Sequence, residues 1–177
     1  FMTMIKFCGH ILFQVKRKAA PSKLEAIAKC KPEEIKTNTN LRAFLGLCQY
    51  YSTYVKDFAD IATPLFNQLK GVQKKQSKIR WTNPMLTAFE NLKVALLENV
   101  VLDIADPYKA YILEVDASDY AVGGVLQQED QSGCLRPVAF FSRIFEASPG
   151  KGQVGCSTRE KETYAIVLAL LNWASWI

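Results

Sequence analysis

No two of the five cysteines, at positions 8, 30, 48, 134 and 156, are spaced as CxxC, and their number is odd. That argues against a zinc framework and against a disulfide scaffold. Free thiols point instead to a reducing, intracellular setting. No apolar run approaches the roughly 18 residues that a membrane span needs, so no membrane partner is expected. The opening "FMTMIKFCGHILFQVKRK" carries its main charges behind the apolar part, the reverse of a signal peptide. No internal repeat is present. The chain begins with Phe1, and "ALLNWASWI" closes it without the Gly, Asn or basic turn that usually ends a helix. The two ends read as those of a fragment or of an interrupted frame.

What is present is an ordinary globular balance, 49% hydrophobic and 22% charged over 177 residues. That length suits one large domain or two small ones. The net charge of +5 is unevenly spread. Residues 1–80 hold 15 Lys/Arg against 5 Asp/Glu; residues 81–177 hold 7 against 12. A basic half suits a polyanion, and it equally suits a solvated basic surface.

Residues 3–15 read as two short strands around Gly9. Pro21 suits the first turn of a helix that runs to Cys30 and is ended by Pro32. "KTNTN" offers N-caps for a helix over about 40–55. Leu41, Phe44, Leu45, Cys48, Tyr51 and Val55 form its apolar stripe. Arg42, Gly46, Gln49, Tyr50 and Thr53 lie on another face. Gly46 costs about 1 kcal/mol against alanine inside a helix, so its place there suggests a close approach by a neighbouring helix or by a nucleic-acid strand. A further helix is expected to bend or restart at Pro64 and to close at Gly71. "GVQKKQSKIR" lacks periodicity and is the linker candidate. Thr82 or Asn83 caps the next helix, with Pro84 in its first turn and Leu86, Phe89, Leu92, Leu96 and Leu97 on its buried face.

From residue 111 the period changes to two. Strands are expected over 111–117, about 121–128 and 136–143, and then a helix capped by Ser157 or Thr158 with Glu160 near the capping-box position. In the first strand, Tyr111, Leu113 and Val115 point one way, and Ile112, Glu114 and Asp116 the other. Glu162 falls in line with Ile166, Ala169 or Leu170, and Trp173. A carboxylate aimed at a sheet is costly unless it is paired, protonated or bound to a cation. Two inward acids suit hard cations such as Mg²⁺, which takes oxygen ligands. Alternatively, Asp116 and Asp119 are turn residues and Glu162 supports a helix start.

Several motifs bear on that choice. "FCGHI", "LRAFLGLCQYYSTYVKDFADIATPLFNQLKG", "RWTNPMLTAFENLKVALLENVVL", "YILEVDASDYAVGGVLQQ", "RPVAFFSR" and "STREKETYAIVLALLNW" follow one another in order over nearly the whole chain. Together they resemble the reverse transcriptase–ribonuclease H polyprotein of gypsy-type long-terminal-repeat retrotransposons. The resemblance implies an α+β fold: a small helical thumb-like subdomain followed by a truncated ribonuclease H-like domain, an antiparallel three-strand meander plus a helix. It implies the end of a polymerase palm with a primer-grip-like hairpin (1–20), a thumb-like part (21–71), a basic linker (72–80), a connection (81–110) and a ribonuclease H-like part (111–177). Asp116 and Glu162 match two metal-binding acids, so Mg²⁺ is the implied cofactor, in a two-ion site that is incomplete here. Gly9, His10, Arg42, Gly46 and Tyr50 match positions facing the template–primer. The implied partners are an RNA–DNA hybrid or template–primer duplex and the remainder of the polyprotein. The palm aspartates and two further ribonuclease H acids are absent from the sequence, and Cys8 stands where the family usually has leucine. A non-catalytic remnant or co-opted nucleic-acid-binding module is the alternative.

Overall fold

A computed structural model describes residues 4–70, 77–98, 101–118, 121–144 and 157–177. The chain divides into two compact units: Phe1–Val55 with Ile61–Val101, and Lys56–Asp60 with Leu102–Ile177. The division therefore follows residue 101, where the sequence reading set the boundary at the linker 72–80. The described end of that linker is tied down: Asn38 N–H donates to Ser77 O at 3.2 Å and Ile79 N–H to Lys36 O at 3.1 Å. Gly71 and residues 72–76 lie outside the described residues.

Unit one opens with three antiparallel strands, β1 (Ile5–Phe7), β2 (His10–Phe13) and β3 (Lys16–Ala19). The sequence pattern shows only two of them. Both connections are two-residue turns with positive φ at each position: Cys8 and Gly9 at 44° and 76°, Gln14 and Val15 at 44° and 63°. A two-residue hairpin needs this left-handed geometry to match strand twist. Gln14–Val15 carries no Gly or Asn to announce it, and Lys16-Arg17-Lys18 reads as a charge run rather than as a strand.

Helix α1 spans Pro21–Lys29 with proline in its first turn, as expected. Helix α2 spans Asn38–Tyr50. Thr37 caps it reciprocally with Asn40, Thr37 Oγ1 accepting from Asn40 N–H at 3.3 Å. The helix stops at Tyr50 instead of near 55 because Tyr51 leaves helical geometry, and a 3-10 turn follows over Ser52–Tyr54. The stripe of Leu41, Phe44, Leu45, Cys48, Tyr51 and Val55 is buried throughout. Each of its Leu, Phe and Val side chains contributes about 1.5–3 kcal/mol by leaving water. Burial raises the Cys48 thiol to about 12, which keeps it protonated.

Helix α3 (Phe58–Gln68) is continuous through Pro64, so it does not restart there. Helix α4 (Asn83–Leu97) buries Met85, Ala88, Phe89, Leu92 and Leu96. Leu86 and Leu97, expected inside, are 37% and 41% exposed. Met85 and Ala88 turn inward in their place, beside Phe89, which packs on Phe44 at 4.7 Å and edge-on to Trp81 at 5.7 Å. That aromatic anchor decides which of several apolar residues turns inward.

Unit two holds the short β4 (Leu102–Asp103) and a meander of β5 (Ile112–Ala117), β6 (Ala121–Glu129) and β7 (Leu135–Ile144) in that order. Pro137 sits near the start of β7, opposite Gln127, where the register shifts between Leu126 and Gln127. Helix α5 (Thr158–Asn172) lies on one face of the meander. Ser157 and Glu160 form its capping box, Glu160 Oε2 accepting from Ser157 N–H at 2.7 Å. These bonds favour the charged carboxylate and hold Glu160 below its usual range. The helix ends at Asn172, with Trp173 as its C-cap. Its inner face is Ala165, Leu168, Ala169 and Trp173; Ile166 and Leu170, expected in that stripe, are 48% and 43% exposed. The small Ala165 and Ala169 let the helix backbone approach the sheet, and the apolar residues around it left the face undetermined by pattern alone. Among the described residues no helix is long and apolar enough to cross a membrane.

Candidate nucleic-acid interface and carboxylate site

In unit one, Arg42, Gly46 and Tyr50 form one line on the outer face of α2, each a little over a turn from the next, and all three are exposed. A Cβ built on Gly46 meets no atom within 4 Å. No neighbouring helix among the described residues uses the gap, so a bulky ligand can approach the backbone there.

Gly9 and His10 are placed differently. A Cβ on Gly9 would fall 2.9 Å from Tyr51 Oη, and its φ of 76° disfavours any other residue. Gly9 O accepts from Ala20 N–H at 2.8 Å and from Tyr51 O–H at 3.2 Å. Tyr50 O–H donates to Cys8 O. His10 Nδ1 lies 2.8 Å from Tyr54 Oη. Its ring stacks on Tyr50 at 5.6 Å and on Tyr54 at 5.7 Å, and meets Tyr51 edge-on at 5.8 Å. Burial, and secondly the Arg17 charge, hold the His10 imidazole below its ordinary range. The structure thus brings Gly9, His10 and Tyr50 together, with the His10 ring turned toward tyrosines of its own unit. Sequence reasoning missed Arg17, Tyr51 and Tyr54 as parts of this cluster. Only the "YYSTY" run hinted at them.

In unit two, Leu113, Val115 and Ala117 of β5 pack with Val122, Leu126 and Phe141 under α5. Asp116 pairs with Gly123 on the opposite face. That face is covered by the segment Lys56–Asp60. Asp57 Oδ1 sits 2.7 Å from where a Gly123 Cβ would be, Ala59 N–H donates to Ser142 Oγ at 2.9 Å, and Ser118 O–H donates to Asp60 Oδ1 at 2.9 Å. Asp116 itself accepts from Ala117 N–H at 2.8 Å. A half-open pocket of about 300 Å³ is lined by Lys56, Asp57, Glu114, Asp116, Gly123 and neighbours. Burial first, then the Asp60 and Asp116 charges, raise Asp57 against the pull of Lys56.

Glu162 is exposed on α5, the helix that covers the other face, and shares no described hydrogen bond or pocket with Asp116. Asp119 lies outside the described residues. Among the described residues no group of three or more His, Cys, Asp or Glu is arranged to hold a metal ion. Two separated acids do not make a closed site for a hard cation, so no hydrolytic step is assigned to them as they stand. Lys56 and Asp57 could not be found from sequence. They reach Asp116 from some 60 residues upstream, without any motif linking them.

A three-strand meander backed by one capped helix follows, in the chain, a helical unit whose α2 face is open along Arg42, Gly46 and Tyr50. The chain belongs to the family described as the RNase H-like domain found in reverse transcriptase, whose model matches residues 81–177. It is 33% identical to the retrovirus-related Pol polyprotein from transposon opus of Drosophila melanogaster, over 99% of this chain and 17% of that one. It is 30% identical to the Tf2-3 transposon polyprotein of Schizosaccharomyces pombe, over 99% of this chain and 12% of that one. The chain therefore spans less than a fifth of these curated relatives. Its fold matches the foamy viral protease-reverse transcriptase solved with an RNA/DNA hybrid, at a TM-score of 0.79 and 20% identity, covering 98% of this chain and 22% of that one. The same viral protein solved with dsDNA gives a TM-score of 0.82 at 20% identity, over 98% and 34%. At that identity the likeness concerns the fold.

Proposed function

We propose that the chain is a segment of a gypsy-type retroelement RNA-directed DNA polymerase and ribonuclease H. Its intact form would copy RNA into DNA and cleave the RNA strand of RNA–DNA hybrids. The first unit grips a template–primer or hybrid duplex along Arg42, Gly46 and Tyr50. The second forms the opening of the ribonuclease H-like domain, in which Asp116 and Glu162 would be two of the Mg²⁺ ligands once further acids complete the set. The rest of the polyprotein is the natural partner, and the setting is intracellular, within a virus-like particle where the element is active.

The observation that carries this reading is the open line over Gly46, flanked by Arg42 in a strongly basic segment. A duplex strand fits there because sugar–phosphate contacts follow charge and shape rather than base sequence. The test is fluorescence anisotropy of the whole chain with an RNA–DNA hybrid across a salt series. The logarithm of affinity should fall linearly with that of salt, and Arg42→Gln should lower the slope by about 1, one phosphate contact. Binding that ignores salt, or an Arg42→Gln slope equal to wild type, would sink the assignment of this face.

A second reading, a non-catalytic nucleic-acid-binding module, is favoured by one observation. Asp116 and Glu162 stand on different elements, and among the described residues no group of three or more His, Cys, Asp or Glu is arranged to hold a metal ion.

A further inference from the structure

Three consecutive residues of the β1–β2 hairpin are each bonded to one of three tyrosines at the end of α2. Cys8 O accepts from Tyr50, Gly9 O from Tyr51 at 3.2 Å, and His10 Nδ1 meets Tyr54 at 2.8 Å. The Arg17 guanidinium from β3 lies over the Tyr54 ring at 5.6 Å, on the same cluster. Tyr51 and Tyr54 are 1% and 4% exposed, so their hydroxyls have been taken from water and need these partners. The turn they hold is left-handed at both positions, and outside support is what makes such a conformation persist.

The geometry points to a latch: His10, Tyr51 and Tyr54 are positioning residues that fix the hairpin turn against the duplex-gripping helix α2. His10 acts through the turn and does not itself touch the nucleic acid, because its ring is occupied by Tyr50, Tyr51 and Tyr54. Tyr50 serves both sides: its hydroxyl holds Cys8 while half of its surface stays open on the Arg42–Gly46 line. A duplex lying on α2 then meets the hairpin at one fixed height, and loosening the turn weakens binding without removing any charge. This inference rests on the proposed reading that unit one binds a duplex.

The test uses the whole chain and the variants H10F, Y54F and the double variant. H10F keeps an aromatic ring and, His10 being neutral, changes no charge. Y54F removes one oxygen and keeps the stack, so it folds even where H10F does not. Two readouts are taken: hydrogen exchange at the Ala20 amide, which donates to Gly9 O, and hybrid affinity across salt. Each single variant should speed Ala20 exchange and weaken binding by about 2- to 12-fold, the range one net hydrogen bond carries. The double variant should cost no more than the worse single one, and the salt slope should stay at the wild-type value. Unchanged Ala20 exchange, or fully additive losses, overturns the latch. So does weaker hybrid binding by H10F with the Ala20 exchange unchanged, which makes His10 a contact residue. If the wild-type chain binds no hybrid, the proposed function falls, and Ala20 exchange alone still decides the latch.

Discussion

At the residue scale the chain's single histidine is tied to its own unit, its ring set among Tyr50, Tyr51 and Tyr54. The resemblance of "FCGHI" implied a residue facing nucleic acid; the contacts that the structure describes for the ring are with three tyrosines, beside the Arg17 charge. The pH consequence follows from its depressed titration. Facing Arg17, Tyr50, Tyr51 and Tyr54, folded His10 resists the proton that the unfolded chain takes up below its ordinary value of 6.5. Between that value and the lower folded one the unfolded state binds more protons, so stability falls as pH falls through that window. An NMR titration of His10 should show a midpoint below 6.5, and Ala20 protection, corrected for intrinsic exchange, should decline across the same window. A midpoint at or above the ordinary value would mean that the ring is not desolvated.

At the element scale, α2 was readable in its stripe and open face, which follow from spacing, but not in its ends, Asn38 and Tyr50 against an expected 40–55. Helix α4 was readable as a helix but not in its orientation. Leu92 is fully buried while Leu97 is 41% exposed, although both belong to the face expected inside. Leu92→Ala should therefore cost about 2–5 kcal/mol through lost burial and a residual cavity, while Leu97→Ala should stay below about 1 kcal/mol. Urea unfolding of the two variants checks this, and equal losses would restore the original face. The same limit applied to α5. Its run from Ala165 to Leu171 is apolar at every position and offers no periodic cue, and the choice fell to Ala165 and Ala169 because small residues permit close packing on the meander.

At the scale of the whole molecule, the proposed reading puts duplex binding on the basic residues 1–80 and leaves the acids of residues 81–177 out of it. Asp116→Asn should consequently change hybrid affinity of this chain by less than about twofold, since it removes no phosphate contact and no positive charge. In a longer polyprotein carrying the remaining acids, the same substitution should abolish Mg²⁺-dependent cleavage of the RNA strand. Anisotropy and a gel cleavage assay measure the two. Loss of binding in Asp116→Asn, or cleavage that survives it, would remove Asp116 from its proposed role.

By itself the sequence determined most of the order of elements, the segments in which the caps of α2 and α5 fall, the buried stripe of α2 and the alternation that sets Asp116 apart from the core side of β5. These are local consequences of period, propensity and capping, each decided within one element. The tertiary structure decided the rest. It decided that Lys56–Asp60 covers the Asp116 face, that α5 covers the other, and that three tyrosines hold the Cys8–Gly9–His10 turn some 42 residues away. Contacts of that kind depend on which surfaces meet when distant segments close on one another, and a one-dimensional pattern does not encode the meeting.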